Sequence, residues 1–391
     1  MQAIREGTFV CFLAAFLAWP SISLSAQEVR GVTIRINNTA TIASHQQIVS
    51  IPWKDLQKAY PAISPDSIKI TKSAANKELP FQLEFRGETS VQNLLFQIDV
   101  AAQSFALVHV AKGLPSSITS KTFCRYVPER KDDFAWENDK IAFRVYGKAL
   151  EGTKENANGI DVWVKRTDRL VLNDRYKLGD YHIDHGDGLD YYHVGPSLGA
   201  GNIAPFVNDS IWYPNNYRQW KVLDNGPLRS TFQLSYEAWS VAGKMATMTK
   251  TISLDAGMQL SRIELKASFD HASSMPWVVG IIRRKEPGTI LLDQANSTMG
   301  YWEPVHPQNG ITGVGSIFPN MKTEMKLTDT HLLAVVDIKP NSPFVYYAGA
   351  AWDKAGDVTT ATAWFNHLQH LQVQWAQPLT IELLPLYSKP L

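Results

Sequence analysis

Residues 181 to 201, YHIDHGDGLDYYHVGPSLGAG, place three histidines, three aspartates, three tyrosines and five glycines in one short span. A turn needs one or two glycines and no imidazole. Histidine titrates near neutrality, and tyrosine relays a proton when a neighbouring cation favours its anion, so the segment fits acid–base chemistry. Glycine lets the backbone approach a ligand closely or take positive φ. A metal site is the second chemistry these side chains allow, with His182 and His185 three apart and Asp184, Asp187 and Asp190 interleaved. There is no HExxH pattern, and the glycines argue against a helix presenting two imidazoles on one face. The expectation is catalysis without a cofactor, with a divalent metal at His182 and His185 as the alternative. A loop whose histidines and aspartates only bond the backbone is the third, inert reading. His193, beside Val194, is expected to pack or hydrogen-bond.

The elements that must position this segment read as β-strands. VRGVTIRI, NLLFQIDV, FALVHV, IAFRVYG, IDVWVK, RSTFQLSY, MATMTKTISL, LSRIELKASF, HLLAVVDI and LTIELL alternate or are β-branched, with glycine, proline, asparagine and aspartate between them. Only WKDLQKAY and AWFNHLQHL suggest helix. No repeated strand-then-helix rhythm is present, so an all-β fold is predicted: a large, supersandwich-like antiparallel β-sandwich with a smaller N-terminal sandwich. The charged run VPERKDDFAWEND, residues 127–139, marks the seam, giving a smaller segment over 27–128 and a larger, site-bearing domain over 129–391. Residues 168–218 have weak strand character, and long irregular stretches inside domains tend to be functional.

Composition bounds the partners. The formal net charge is +1 and no stretch concentrates lysine and arginine, which disfavours nucleic acid. Residues 1–26 have the layout of a secretory signal peptide, TFVCFLAAFLAW followed by small residues up to Ala26. The expected location is periplasmic or secreted, with no membrane attachment after cleavage. Cys124 is then the only cysteine left, so no internal disulfide forms, and its place in the strand-like TFCRYV reads as a buried structural thiol. Twelve tryptophans and fourteen tyrosines fit either an aromatic sandwich core or platforms for sugar rings.

Several stretches together carry a resemblance: RVYG at 144–147, GIDVWVKR at 159–166, the 181–201 segment, DSIWYPNNYRQWKVLDNGPLR at 209–229 and YYAGAAWDKAGD at 346–357. They resemble a bacterial family known as a domain of unknown function, found in polysaccharide-utilisation gene clusters. The run Gly186, Gly188, Asp190, Val194, Gly195, Leu198, Gly199 is a specific part of it. Some members are oligosaccharide dehydratases acting on ulvan-type substrates. They remove water from a uronic acid at the non-reducing end and leave a 4,5-unsaturated sugar. What the resemblance implies is a uronate-containing oligosaccharide as partner, His182 or His185 as base and Tyr181 or Tyr192 as acid. Arg144, Lys165 and Arg166 would hold the substrate carboxylate, with Asp190 among the binding residues. Trp163, Trp212, Tyr217 and Trp352 would form the sugar platform. A polysaccharide lyase, using the same acid–base logic with a glycosidic leaving group, and a non-catalytic carbohydrate-binding protein are the alternatives. A paired-carboxylate hydrolase fits less well, because the segment is rich in histidine and tyrosine.

Overall fold

The computed structural model describes residues 29–387; the expected signal peptide lies outside them. The fold is all-β and antiparallel, as the alternating runs predict. Its largest element is an eight-stranded sheet in the order Gln219–Asn225, Arg229–Val241, Lys244–Asp255, Leu260–Phe269, Pro343–Trp352, Thr312–Ile317, Thr298–Trp302, Thr289–Asp293. Period-2 alternation sends Met248, Ile252, Ile263, Leu265, Tyr346 and Ala348 to one face, where they are all but inaccessible. Two five-stranded sheets share that core. One runs Gly188–Asp190, Asp161–Lys165, Ile141–Val145, Asp133–Asn138, Thr122–Val127. The other runs Ser210–Ile211, Ala200–Val207, Met275–Ile282, His331–Ile338, Glu324–Leu327.

The opposite face of the eight-stranded sheet is covered by the helix Ala361–Ala376, which contains the expected AWFNHLQHL. Thr360 caps it, its side chain accepting from the Ala363 N–H at 3.1 Å. Trp364, Leu368 and Leu371, spaced by one and two turns, are buried against the sheet. The helix lies so close that a Cβ at Gly315 would meet Leu368 at 2.5 Å. Burying a leucine in this way stabilises by about 1.5–3 kcal/mol.

The N-terminal sandwich packs Thr380–Tyr387, Val29–Asn38, Ser104–Ala111, Lys69–Lys72 and Lys77–Glu78 on a second sheet of Ser44–Pro52, Asn93–Val100 and Phe81–Glu84. Two details bear on the expected boundary. Thr122–Val127, placed by sequence in the smaller unit, pairs with Asp133–Asn138 in the larger. The charged run between them is a hairpin turn with Lys131 and Asp132 both at positive φ. At the other end, Thr380–Tyr387 pairs with Val29–Asn38, so the last described strand belongs to the N-terminal sandwich.

The region 168–218 is less irregular than its composition predicts. It contains the helix Leu172–Leu178 and the strand Ala200–Val207, whose alternation is hidden by Gly201, Asn202 and Pro205. Cys124 is buried, and burial pushes its thiol up to about 12, which keeps it protonated and unreactive.

Candidate active site

The glycine-rich segment folds onto the edge of the first five-stranded sheet. Its strand Gly188–Asp190 pairs with Asp161–Lys165 in the register Trp163↔Asp190, Lys165↔Gly188. Gly188 takes φ +119, and a Cβ there would lie 2.0 Å from the Val164 carbonyl oxygen. Gly199, at φ +59, would meet the Ile160 oxygen at 2.3 Å. Those two glycines are required by close backbone packing on the sheet.

That packing closes a charged cluster inside the sandwich. Arg144 and Asp161 face each other across neighbouring strands. Arg144 donates from Nε to Asp161 Oδ2 at 2.9 Å, and from Nη2 to Asp161 Oδ2 at 2.5 Å and Asp190 Oδ2 at 2.8 Å. Its Nη1 stands 3.6 Å from Asp133. All four residues are buried. Arg144, with Arg130 nearby, faces three carboxylates away from water, where burial favours the protonated acid. Burial pushes Asp133 up to about 7 against the pull of Arg144. Asp190 is raised well above the usual carboxylate range, by burial first and by Asp161 next. The cluster therefore retains protons at neutral pH. Tyr146, Trp163 and Tyr181 surround the guanidinium, with ring centroids 5.1, 5.2 and 5.7 Å from it. Both Asp133 oxygens, Arg144 Nη1, Arg130 Nη1, Trp163 Nε1 and the Tyr176 hydroxyl are buried here without a hydrogen-bond partner. Such a concentration in one place is unusual for a native core.

At the rim of the cluster, the Tyr181 hydroxyl accepts from Arg130 Nε at 2.8 Å. His182 follows, its ring 4.6 Å from that of Tyr181. Its Nδ1 lies 2.9 Å from the Asp190 carbonyl oxygen. A carbonyl can only accept, so Nδ1 carries a proton, which leaves Nε2 as the nitrogen available for proton transfer. The side chain is 63% exposed. His185 points elsewhere, to Asp180 Oδ1 at 3.1 Å. Among the described residues no group of three or more His, Cys, Asp or Glu side chains is placed to hold a metal.

The remaining sequence candidates take other places. Arg144, expected on the substrate carboxylate, is buried and engaged by protein carboxylates through Nε and Nη2. Lys165 is likewise buried, donating to Glu137 Oε2 at 2.8 Å and the Asn138 carbonyl at 2.6 Å. Glu137 in turn accepts from the Val171 and Leu172 N–H groups and so anchors the start of the helix Leu172–Leu178. Arg166 pairs with Asp184, donates to the Gly186 carbonyl and lies 5.1 Å over the Trp352 ring, which pins the segment from outside. None of the four proposed platform rings stands free. Trp163 is buried and stacked on Tyr181 at 4.7 Å. Trp352 is buried and donates to the Asn309 carbonyl at 2.7 Å. Tyr217 is buried and donates to the Asp132 carbonyl at 2.5 Å. Trp212 is half-buried and donates to the Val207 carbonyl. Tyr192, the second acid candidate, is buried under Arg284, 4.6 Å from its ring, and burial holds its hydroxyl well above the usual range. Asp190 serves the Arg144 cluster and orients His182.

Arg130, Asp133 and Asp161 were not predicted. Arg130 and Asp133 fall in the charged run read as a seam. Asp161, between Ile160 and Val162, did carry a signal: a lone charge inside an apolar strand, matching Arg144 between Phe143 and Val145.

Over residues 36–381 the sequence matches the family described as "Domain of unknown function (DUF4861)". The chain belongs to that family. It is 29% identical over 395 residues to "Uncharacterized protein P7" of Formosa agariphila, covering 95% of this chain and 98% of that one. Among solved structures, it is similar to a protein in the glycosyl hydrolase family 38 from Enterococcus faecalis, with a TM-score of 0.48 and 9% identity over 90% of this chain and 47% of that one. An alpha-mannosidase from Enterococcus faecalis V583 gives a TM-score of 0.46 and 9% identity over 90% and 46%. The chain spans about half the length of those two structures.

Proposed function

We propose that this DUF4861 chain is an exported carbohydrate-active enzyme that eliminates water from a uronic acid at the non-reducing end of an oligosaccharide. The observation that carries the reading is the pairing of exposed His182, its Nδ1 on the Asp190 carbonyl, with Tyr181, held on Arg130, beside the carboxylate cluster described above. The resemblance to dehydratases of polysaccharide-utilisation clusters supplies the substrate class.

The hydrogen on carbon 5 of a uronate is weakly acidic because it lies alpha to the carboxylate. Arg130 takes the role that Arg144 cannot, since its side chain is 22% exposed where that of Arg144 is 4%, and a guanidinium beside Tyr181 neutralises the substrate carboxylate as charge develops, in competition with Glu155 at 3.5 Å. His182 Nε2 removes the carbon-5 proton. The Tyr181 hydroxyl protonates the oxygen on carbon 4, which leaves as water while the carbon 4–carbon 5 double bond forms. Asp190 orients the imidazole through its carbonyl, and the Arg144 cluster holds Asp190 in place.

The test is product analysis with saturated uronate-terminated oligosaccharides. Ultraviolet absorbance of a new conjugated double bond, with loss of one water and unchanged chain length, supports the reading. Chain shortening with the same absorbance moves the reaction to glycosidic elimination by a lyase. Binding with no new absorbance removes the enzymatic reading.

A further inference from the structure

A second feature adjoins the same segment. A cleft of about 720 Å³ opens on the outer face of the sheet containing Ala200–Val207, Met275–Ile282 and His331–Ile338. Pro196 and Ser197 of the glycine-rich segment line one side. Arg284, in the lining, reaches the glycine-rich segment. It donates from Nη1 to the His193 carbonyl at 2.5 Å and lies over Tyr192.

The lining has two chemical halves. Four cations, Arg283, Arg284, Lys285 and Lys326, face two carboxylates, Asp209 and Asp329. Arg284 is partly neutralised by Glu303 at 2.7 Å, and Lys326 lies 3.4 Å from Glu324, but Lys285 is exposed. Phe206, Ile211 and Tyr213 supply a half-buried apolar wall, and Lys326 sits 5.5 Å over the Phe206 ring. A core-forming sheet face normally carries a further layer of protein; here it carries aromatic rings fringed by cations. Flat aromatic faces suit the C–H faces of pyranose rings, and ammonium and guanidinium groups suit anionic substituents.

We infer that this cleft is a second binding site for acidic sugar units of the same class of chain, each unit's carboxylate or sulfate meeting Lys285 or Lys326 and its ring lying on Tyr213. The inference rests on the carbohydrate substrate class proposed above. It explains a feature the elimination chemistry leaves unused: a chain bound only by its terminal residue has no need of a second, cationic cleft on the neighbouring sheet.

The experiment measures oligosaccharide affinity by calorimetry for the mature protein, for a Lys285→Ala/Lys326→Ala double variant, for Tyr213→Ala, and for Lys58→Ala as a remote control. The ligands are an acidic uronate oligosaccharide, its sulfated form and its carboxyl-reduced neutral form. The expected result is about tenfold or greater loss of affinity for acidic chains in the double variant, the size of one lost charge-assisted contact. Lys58→Ala should bind normally, and raised salt should weaken the mature protein more than the double variant. The carboxyl-reduced and sulfated arms identify which anion is read. Equal affinity of mature protein and double variant, or undiminished binding of a neutral unsulfated chain, overturns the inference. Unsaturated product formed with an unchanged KM in the double variant removes the cleft alone. Cleft-dependent binding without product leaves the cleft standing and removes the elimination reading.

Discussion

Replacing Arg144 with alanine separates the structural role found here from the substrate-binding role its motif predicts. Asp133, Asp161 and Asp190 would remain inside the sandwich with Arg130 as the nearest remaining cation on Asp133 and Asp190, each carboxylate at most a few per cent exposed. Removing one partner of a buried ion pair costs about 3–5 kcal/mol, because the other charge stays desolvated. For a domain of this size, that corresponds to a melting-temperature fall of roughly 6–20 °C. The pH dependence sharpens the test. Asp133 has a folded pKa raised to about 7 from 3.8. Between those values the folded state binds the extra proton, so this group's contribution is complete below about pH 4 and is lost as pH rises towards 7, by about 1.4 kcal/mol per unit. Without Arg144, Asp133 and Asp190 become still harder to ionise. Arg144→Ala should therefore be penalised more at pH 8 than at pH 5, where protonated carboxyls need no cation. The assay is urea unfolding followed by tryptophan fluorescence at both pH values. A variant that melts like the parent at pH 8, and shows only a raised KM, would refute the buried-cluster account and return Arg144 to the substrate.

Lys165→Ala should also act on stability, by about 3–5 kcal/mol in urea unfolding, since it strands Glu137 in the core; an unchanged midpoint would contradict the anchoring role. His182→Ala should slow turnover about 10²–10⁴-fold in steady-state assays while folding normally, whereas His185→Ala, held only on Asp180, should change stability by no more than about 0.5 kcal/mol and leave turnover alone. Leu368→Ala, in the helix over Gly300 and Gly315, should cost about 2–5 kcal/mol by calorimetry without altering turnover.

Much of the strand inventory was legible because burial on one face imposes alternation. NLLFQIDV, LSRIELKASF and HLLAVVDI coincide with Asn93–Val100, Leu260–Phe269 and His331–Ile338. The helices Trp53–Ala59 and Ala361–Ala376 also showed in their patterns. The helix Leu172–Leu178 did not, because its start is secured by Glu137, distant in sequence. Pairing of the last strand with the first is equally non-local and leaves no local trace. At the site, the 181–201 segment was legible as a place but not as a set of roles. Alternation gives which residues share a face; it does not say whether that face meets water or another sheet. Arg144 and Lys165 therefore read as ligands for a substrate, when their countercharges are Asp161, Asp190 and Glu137. His182 and His185 look equivalent by spacing, and only the Asp190 carbonyl distinguishes them.

The central claim is that Tyr181, held by Arg130, and His182 perform acid–base elimination at the rim of the buried cluster. Turnover of a saturated uronate oligosaccharide by Tyr181→Phe tests it most directly, since the substitution keeps the ring stacked on Trp163 and removes only the hydroxyl. The account predicts a folded protein with a melting temperature lowered by no more than a few degrees for the lost Arg130 contact, retained oligosaccharide binding, and formation of the unsaturated product slowed by about 10²–10⁴. Product formation by Tyr181→Phe at the parental rate would contradict it.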